Sequence, residues 1–146
     1  MAFAGDIPEE YHRLAEEIGV AGVIKWLGHL PHDEVLRLMK SADLLLAMNY
    51  DGWSTLIPGK VYEYWAIGGP PILLLSCPGA ASNFVERHGL GFTVEPSDVA
   101  GIQQAILIVY RQSKTDEPLR VSTDGIEAYD RQALTRKLAQ VLSMVM

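Results

Sequence analysis

An α/β fold, with a mostly parallel sheet packed between helical layers, is what this 146-residue chain predicts. Short apolar runs alternate five times with longer helical patterns, the signature of parallel strands joined by helical crossovers. Two of those runs, residues 42–48 and 71–75, are almost unbroken in apolar character, as strands covered on both faces are. Proline opens three of the helical stretches, at Pro8, Pro31 and Pro58, and glycine closes two, at Gly19 and Gly68.

The elements follow in order. Ala2-Phe3-Ala4 is a short first strand ended by the turn pair Gly5-Asp6. Residues 8–18 form a helix, with Leu14 and Ile18 spaced to share a buried face. Residues 23–27 are the second strand, closed by Gly28, and a helix starting at Pro31 presents Val35, Leu36 and Met39 as its inner stripe. Asp33 and Glu34 sit in that helix's first turn, where its dipole favours acids. Residues 42–48 give the third strand, 49–57 a loop, 58–67 a helix and 71–75 the fourth strand. A helix over 81–87, a strand over 91–94 and, after Asp98, a helix through Tyr110 follow. Residues 112–124 read as a polar linker, and residues 125–144 as a last helix with Leu134, Leu138, Val141 and Leu142 on its apolar face.

Composition narrows the function. Hydrophobic residues are 49% and charged residues 21%, an ordinary mix for a chain that folds around one core. Twelve basic against eighteen acidic residues, a net charge of −6, argue against nucleic acid as a partner. A single cysteine, Cys77, excludes an internal disulfide and a cysteine-rich zinc site. No run approaches the ~20 apolar residues of a membrane-spanning helix, so the expected location is cytoplasmic.

Ligands of open α/β sheets bind at the carboxyl ends of the strands. The most unusual segment there is residues 49–64, Asn-Tyr-Asp-Gly-Trp-Ser-Thr-Leu-Ile-Pro-Gly-Lys-Val-Tyr-Glu-Tyr. The N–H groups of a helix's first turn lack intrahelical partners and attract anions. Gly59 would let a phosphate reach that backbone, and Lys60 adds a positive charge where the dipole disfavours one. Glu63 could accept hydrogen bonds from the vicinal hydroxyls of a sugar. The same spacing also suits a plain amphipathic helix with a solvated Lys and Glu, and spacing alone leaves both readings open.

Other chemistries fail on spacing. Neither a Gly-x-Gly-x-x-Gly fingerprint nor a Gly-x-x-x-x-Gly-Lys-Ser/Thr loop occurs. His29 and His32 flank Pro31 without a third ligand nearby in sequence, which favours a loop and a helix-start histidine over a metal site. Cys77 and His88 lack a third orienting group, and Trp53, Tyr62 and Trp65 fit core or interface as well as substrate platforms.

Several pieces then occur together and in order. They are Phe3-x-Gly5, Lys25-Trp26-Leu27-Gly28 with Pro31-His32-Asp33-Glu34, and Ser41-Ala42-Asp43 before the third strand. Residues 57–64, Ile-Pro-Gly-Lys-Val-Tyr-Glu-Tyr, follow with Gly68-Gly69-Pro70, then Gly89-x-Gly91 and Tyr129-Asp130-Arg131. This set resembles the C-terminal, donor-binding domain of retaining glycosyltransferases of the GT-B fold, the group 1 type, over essentially the whole chain.

The resemblance implies a Rossmann-like three-layer sandwich and a hexosyl transfer from a nucleotide-diphosphate sugar, with no cofactor and no metal. It matches Glu63 to the second carboxylate of a Glu, seven-residue, Glu motif, which holds the ribose hydroxyls. It matches Gly28, His29 and Leu30 to the turn that meets the base. Asp51, Ser54 and Thr55 fall in the loop that contacts diphosphate and sugar, ahead of Gly59 and Lys60, with Lys60 a stabiliser of the diphosphate. Thr55 stands eight residues before Glu63, where the family carries its first Glu.

The resemblance further implies that residues 1–146 are one partial domain of a two-domain enzyme. The family's first strand–helix unit and its acceptor-binding N-terminal domain would then lie outside this chain. The isolated chain is expected to be inactive, and the whole enzyme to be cytoplasmic or peripheral to a membrane. Were the slot of the absent strand closed, the five strands would run 2-1-3-4-5; were it open, strand edges near Phe3 and Leu45 would invite self-association. The other reading is a flavodoxin-like regulatory or interaction module without catalysis.

Overall fold

The computed structural model describes residues 1–49 and 54–145. The chain forms two compact units, Met1–Leu38 and Met39–Met146.

The first unit is built on two very short strands. β1 (Ala2–Phe3) and β2 (Lys25–Trp26) pair in parallel with Phe3 opposite Trp26. The ladder is prolonged by Lys25 N–H to Met1 O, Leu27 N–H to Phe3 O and Gly5 N–H to Gly28 O, the last at 2.7 Å. Phe3 stacks on Trp26 at 5.4 Å, and the His12 ring lies 4.2 Å from the same indole. His12 and the buried Ala15 come from α1 (Glu9–Glu17), which Pro8 opens. Leu14 and Ile18 differ from expectation: they are 47% and 62% exposed within the chain. Two-residue strands make a platform too narrow to cover a whole helix stripe. Residues 21–23 form a single 3₁₀ turn rather than the start of β2, and α2 (His32–Ser41) leads into the second unit with Val35, Leu36 and Met39 half-buried.

The second unit holds the core. β3 (Leu45–Met48), β4 (Ile72–Leu75) and β5 (Gly91–Val94) form a parallel sheet in the order β3-β4-β5, with Leu45 opposite Ile72 and Ile72 opposite Gly91. Between them run α3 (Gly59–Ile67) and α4 (Ala80–Arg87); α5 (Val99–Gln112) follows β5, capped by the Asp98 carboxylate on the Gly101 N–H. β4 is central, and Ile72, Leu73 and Leu74 are all buried, which explains its unbroken apolar run. Ala47, Val61, Trp65, Ala81, Phe84, Val85 and Leu90 complete the cluster around it. Gly91 is required by contact and by conformation: at φ 145°, a Cβ there would stand 2.1 Å from Ile72 O.

The five strands therefore do not make one sheet. The expected order 2-1-3-4-5 is replaced by a two-stranded and a three-stranded parallel sheet. β1 pairs with β2, while β3 bonds to β4 through Leu45 N–H to Pro71 O and Asn49 N–H to Leu75 O. Alternate residues of a strand face opposite neighbours, so Leu46 turns its backbone away from β4. Its carbonyl accepts a side-chain bond from Tyr64 in place of a strand. The flavodoxin-like arrangement, which needs all five strands in one sheet, is not formed.

The stretch after α5 is tied down. Val121 and Gly69 exchange main-chain bonds as an isolated antiparallel bridge, and Trp65 Nε1–H donates to Ser122 O at 3.0 Å. A 3₁₀ turn at Ile126–Tyr129 then brings Tyr129 against Tyr62, Trp65, Phe84 and His88. The last helix is accordingly shorter than expected, α6 (Arg131–Val145), and its Leu134, Leu138, Val141 and Leu142 are exposed within the chain. Among the described residues, no helix is long and apolar enough to cross a membrane.

Candidate functional site

α3 begins where the loop after β3 returns to the sheet, and it carries the two charged residues singled out in the sequence. Pro58 fixes the helix entry with φ −57° and offers no side-chain cap; Val61 N–H turns back to Pro58 O, and the Gly59 and Lys60 N–H groups have no partner among the described residues. Among the described residues, a Cβ on Gly59 would meet nothing within 4 Å. Val61 and Trp65 turn inward and are fully buried. Their burial forces the residues on the opposite side outward, because a helix repeats every 3.6 residues.

Lys60 and Glu63 share that outer ridge. Lys60 Nζ lies 2.7 Å from Glu63 Oε2, and the side chains are 56% and 57% exposed. A lysine near the positive end of a helix is unfavourable, and here a carboxylate three residues on answers it. Neither charge is walled off.

The ridge is held from both flanks. On one side Tyr62 packs on Phe84 at 5.0 Å and on Tyr129 at 5.5 Å. Burial raises the Tyr62 pKa, with the neighbouring Tyr129 phenol adding to the shift. On the other side the Tyr64 hydroxyl donates to Leu46 O at 3.2 Å. Burial is also the main reason the Tyr64 pKa is raised; Lys60 opposes the shift and Glu63 adds to it, which places both charges within electrostatic reach of the phenol.

Ser54 and Thr55, just ahead of α3, are exposed. Ser54 is nevertheless fixed by its main chain, since Ala80 N–H at the start of α4 donates to Ser54 O at 2.6 Å. Gly79 makes this approach possible: a Cβ there would stand 2.5 Å from the same oxygen. Gly79 N–H is itself taken by the Ser82 hydroxyl at 2.8 Å. The sequence reading missed this clasp, which joins main-chain atoms of Ser54 and Ala80.

Ser54, Thr55, Gly59, Lys60 and Glu63 all lie in the second unit, and of these Lys60 and Glu63 touch. Asp51 lies outside the described residues, as does Trp53. Gly28, His29 and Leu30 belong to the first unit, where Gly28 takes φ +62° and its carbonyl accepts from Gly5; His29 is exposed. Of the residues weighed for other chemistry, Tyr62 and Trp65 are packing residues of the core. His88 Nε2 faces the Tyr129 hydroxyl at 3.3 Å. Among the described residues no group of three His, Cys, Asp or Glu side chains comes together as a metal site would require.

With that geometry established, comparison with known proteins decides the family. The family described as Glycosyl transferases group 1 matches residues 1–112. The chain belongs to the group 1 glycosyltransferases. No curated protein and no solved structure gives a significant match. For this glycosyltransferase domain, membership implies transferase activity with a nucleotide-sugar donor. The matched span runs from β1 to the end of α5 and so includes both the Gly28–Leu30 turn and the Lys60–Glu63 ridge.

Proposed function

We propose that this glycosyltransferase domain binds the donor of a hexosyl transfer, with Glu63 accepting from the ribose hydroxyls and Lys60 meeting the diphosphate. The observation that carries the reading is the ridge itself. An ammonium and a carboxylate stand side by side at the open start of a helix, both more than half exposed, directly after the loop that follows β3.

Each group suits one part of a nucleotide-diphosphate sugar. When the bond from the sugar's anomeric carbon to the diphosphate breaks, its electron pair leaves with the diphosphate. Fixed positive charge and first-turn N–H groups stabilise the anion that develops. Lys60 and the Gly59 backbone supply both, so this step runs on the protein's own groups. Ser54 and Thr55, on the clasped loop, would border the sugar, with Thr55 offering a hydroxyl where the family carries a carboxylate. Acceptor binding belongs to a further domain of the whole enzyme, and the 146-residue chain alone turns over no donor.

Calorimetric titration of the chain with UDP, GDP and ADP tests this reading, with Glu63→Ala beside the wild type. Heat from one nucleotide that is lost in Glu63→Ala is the expected result. Equal heats for both proteins would remove Glu63 from the site, and silence with all three nucleotides would overturn donor binding by this chain.

A further inference from the structure

We propose that Tyr64 is a positioning residue for donor binding, acting through the Lys60–Glu63 ridge by bolting α3 to the outer edge of β3. The inference rests on the donor-binding reading above and adds a residue that touches neither phosphate nor sugar.

Three observations converge. Leu45 and Asn49 direct their N–H groups to β4, so the alternate residue Leu46 presents its backbone on the strand's other side. The Tyr64 hydroxyl reaches that side and donates to Leu46 O at 3.2 Å. Tyr64 is also adjacent to Glu63 and one helical turn from Lys60, and its phenol feels both charges.

Val61 and Trp65 alone would not fix the ridge's direction. Their burial against the sheet is non-directional and tolerates a small rotation about the helix axis, and the directional bond from Trp65 Nε1–H runs to Ser122 O in the returning chain, not to the sheet. The flanking contacts remove that freedom. Tyr62 is wedged among Phe84 and Tyr129 on one side, and Tyr64 makes a directional bond to a strand carbonyl on the other. About ten degrees of rotation becomes a displacement of about an ångström at the end of a Glu or Lys side chain, ~6 Å from the axis, enough to weaken a hydrogen bond to a sugar hydroxyl.

A double-mutant cycle reads this directly, in titrations with whichever of UDP, GDP or ADP gives the larger heat. Tyr64→Phe keeps the ring and removes only the donor. It is expected to weaken nucleotide binding about two- to tenfold, the worth of one lost neutral hydrogen bond. In a Glu63→Gln background the same change is expected to cost less than about twofold, because the carboxylate it positions has gone. An equal loss in both backgrounds would make Tyr64 a general structural support and overturn the inference. So would unchanged affinity in Tyr64→Phe, or failure of that variant to fold. A wild type that binds no nucleotide would overturn the donor reading and this inference with it, whereas a normal wild type with a flat cycle overturns this inference alone.

Discussion

Trp65 Nε1–H donates to the main-chain oxygen of Ser122 at 3.0 Å, joining residues 57 apart in sequence. The indole is 1% exposed and lies among Phe84, His88 and Tyr129, so it serves the core and the returning chain at once. Trp65→Phe is expected to lose that bond and part of the packing, at about 1–3 kcal/mol; Trp65→Ala should cost ~3–5 kcal/mol. Urea unfolding followed by circular dichroism measures both. A Trp65→Phe protein as stable as wild type would mean that the bond to Ser122 contributes nothing.

Gly79 offers a second test because its backbone is not the issue. At φ 171° it is extended and any residue could adopt it, but a Cβ would stand 2.5 Å from Ser54 O. Gly79→Ala should therefore cost about 1–3 kcal/mol by overpacking. It should also speed hydrogen exchange at the Ala80 amide, whose bond to Ser54 O would be prised open. Unchanged exchange there would show that the loop moves aside freely.

The Lys60–Glu63 pair should matter little to folding. Both side chains are more than half exposed, and ion pairs of this kind contribute ~0–1 kcal/mol. Lys60→Ala and Glu63→Ala are each expected to leave unfolding free energy within about 0.5 kcal/mol of wild type. A loss above ~2 kcal/mol would recast the ridge as a structural element.

Alkali provides a fourth. Tyr62 and Tyr64 hold their protons more tightly in the fold than their ordinary value of 10.0, chiefly because burial disfavours the phenolate. The native state then binds more protons than the unfolded chain above that value, so stability falls as pH rises. Their contribution is intact below pH 10 and is lost as pH climbs from 10 through the raised values. Urea midpoints between pH 9 and 11 should drop more steeply for wild type than for the Tyr62→Phe, Tyr64→Phe double variant. Parallel slopes would mean that the two phenols titrate normally.

The alternation of strands and helices was legible because it rests on local patterns. Apolar runs marked β3, β4 and β5, and Pro8 and Pro58 marked the starts of α1 and α3. The partition into two sheets was not legible. It depends on where main-chain groups of residues such as Phe3 and Leu46 find partners, which apolar patterning does not encode. The Lys60–Glu63 ridge was readable from a three-residue spacing on a Pro-started helix. Tyr64 and Gly79 were not, since each acts through a backbone oxygen far along the chain, at Leu46 and Ser54. Residues 112–124 looked like linker because they are polar; the bridge from Val121 to Gly69 uses only main-chain atoms, which polarity does not reveal.

The family match covers residues 1–112, and the folding unit extends beyond it. Cut at that border, the domain would lose Ser122 and Tyr129 and leave the Trp65 indole and the Phe84 ring facing water, a sticky wound in its largest aromatic cluster. Whoever trims this protein for expression, or grafts its ridge into another scaffold, should carry the chain through Tyr129, because residues beyond the matched span are what cover the Trp65 and Phe84 rings.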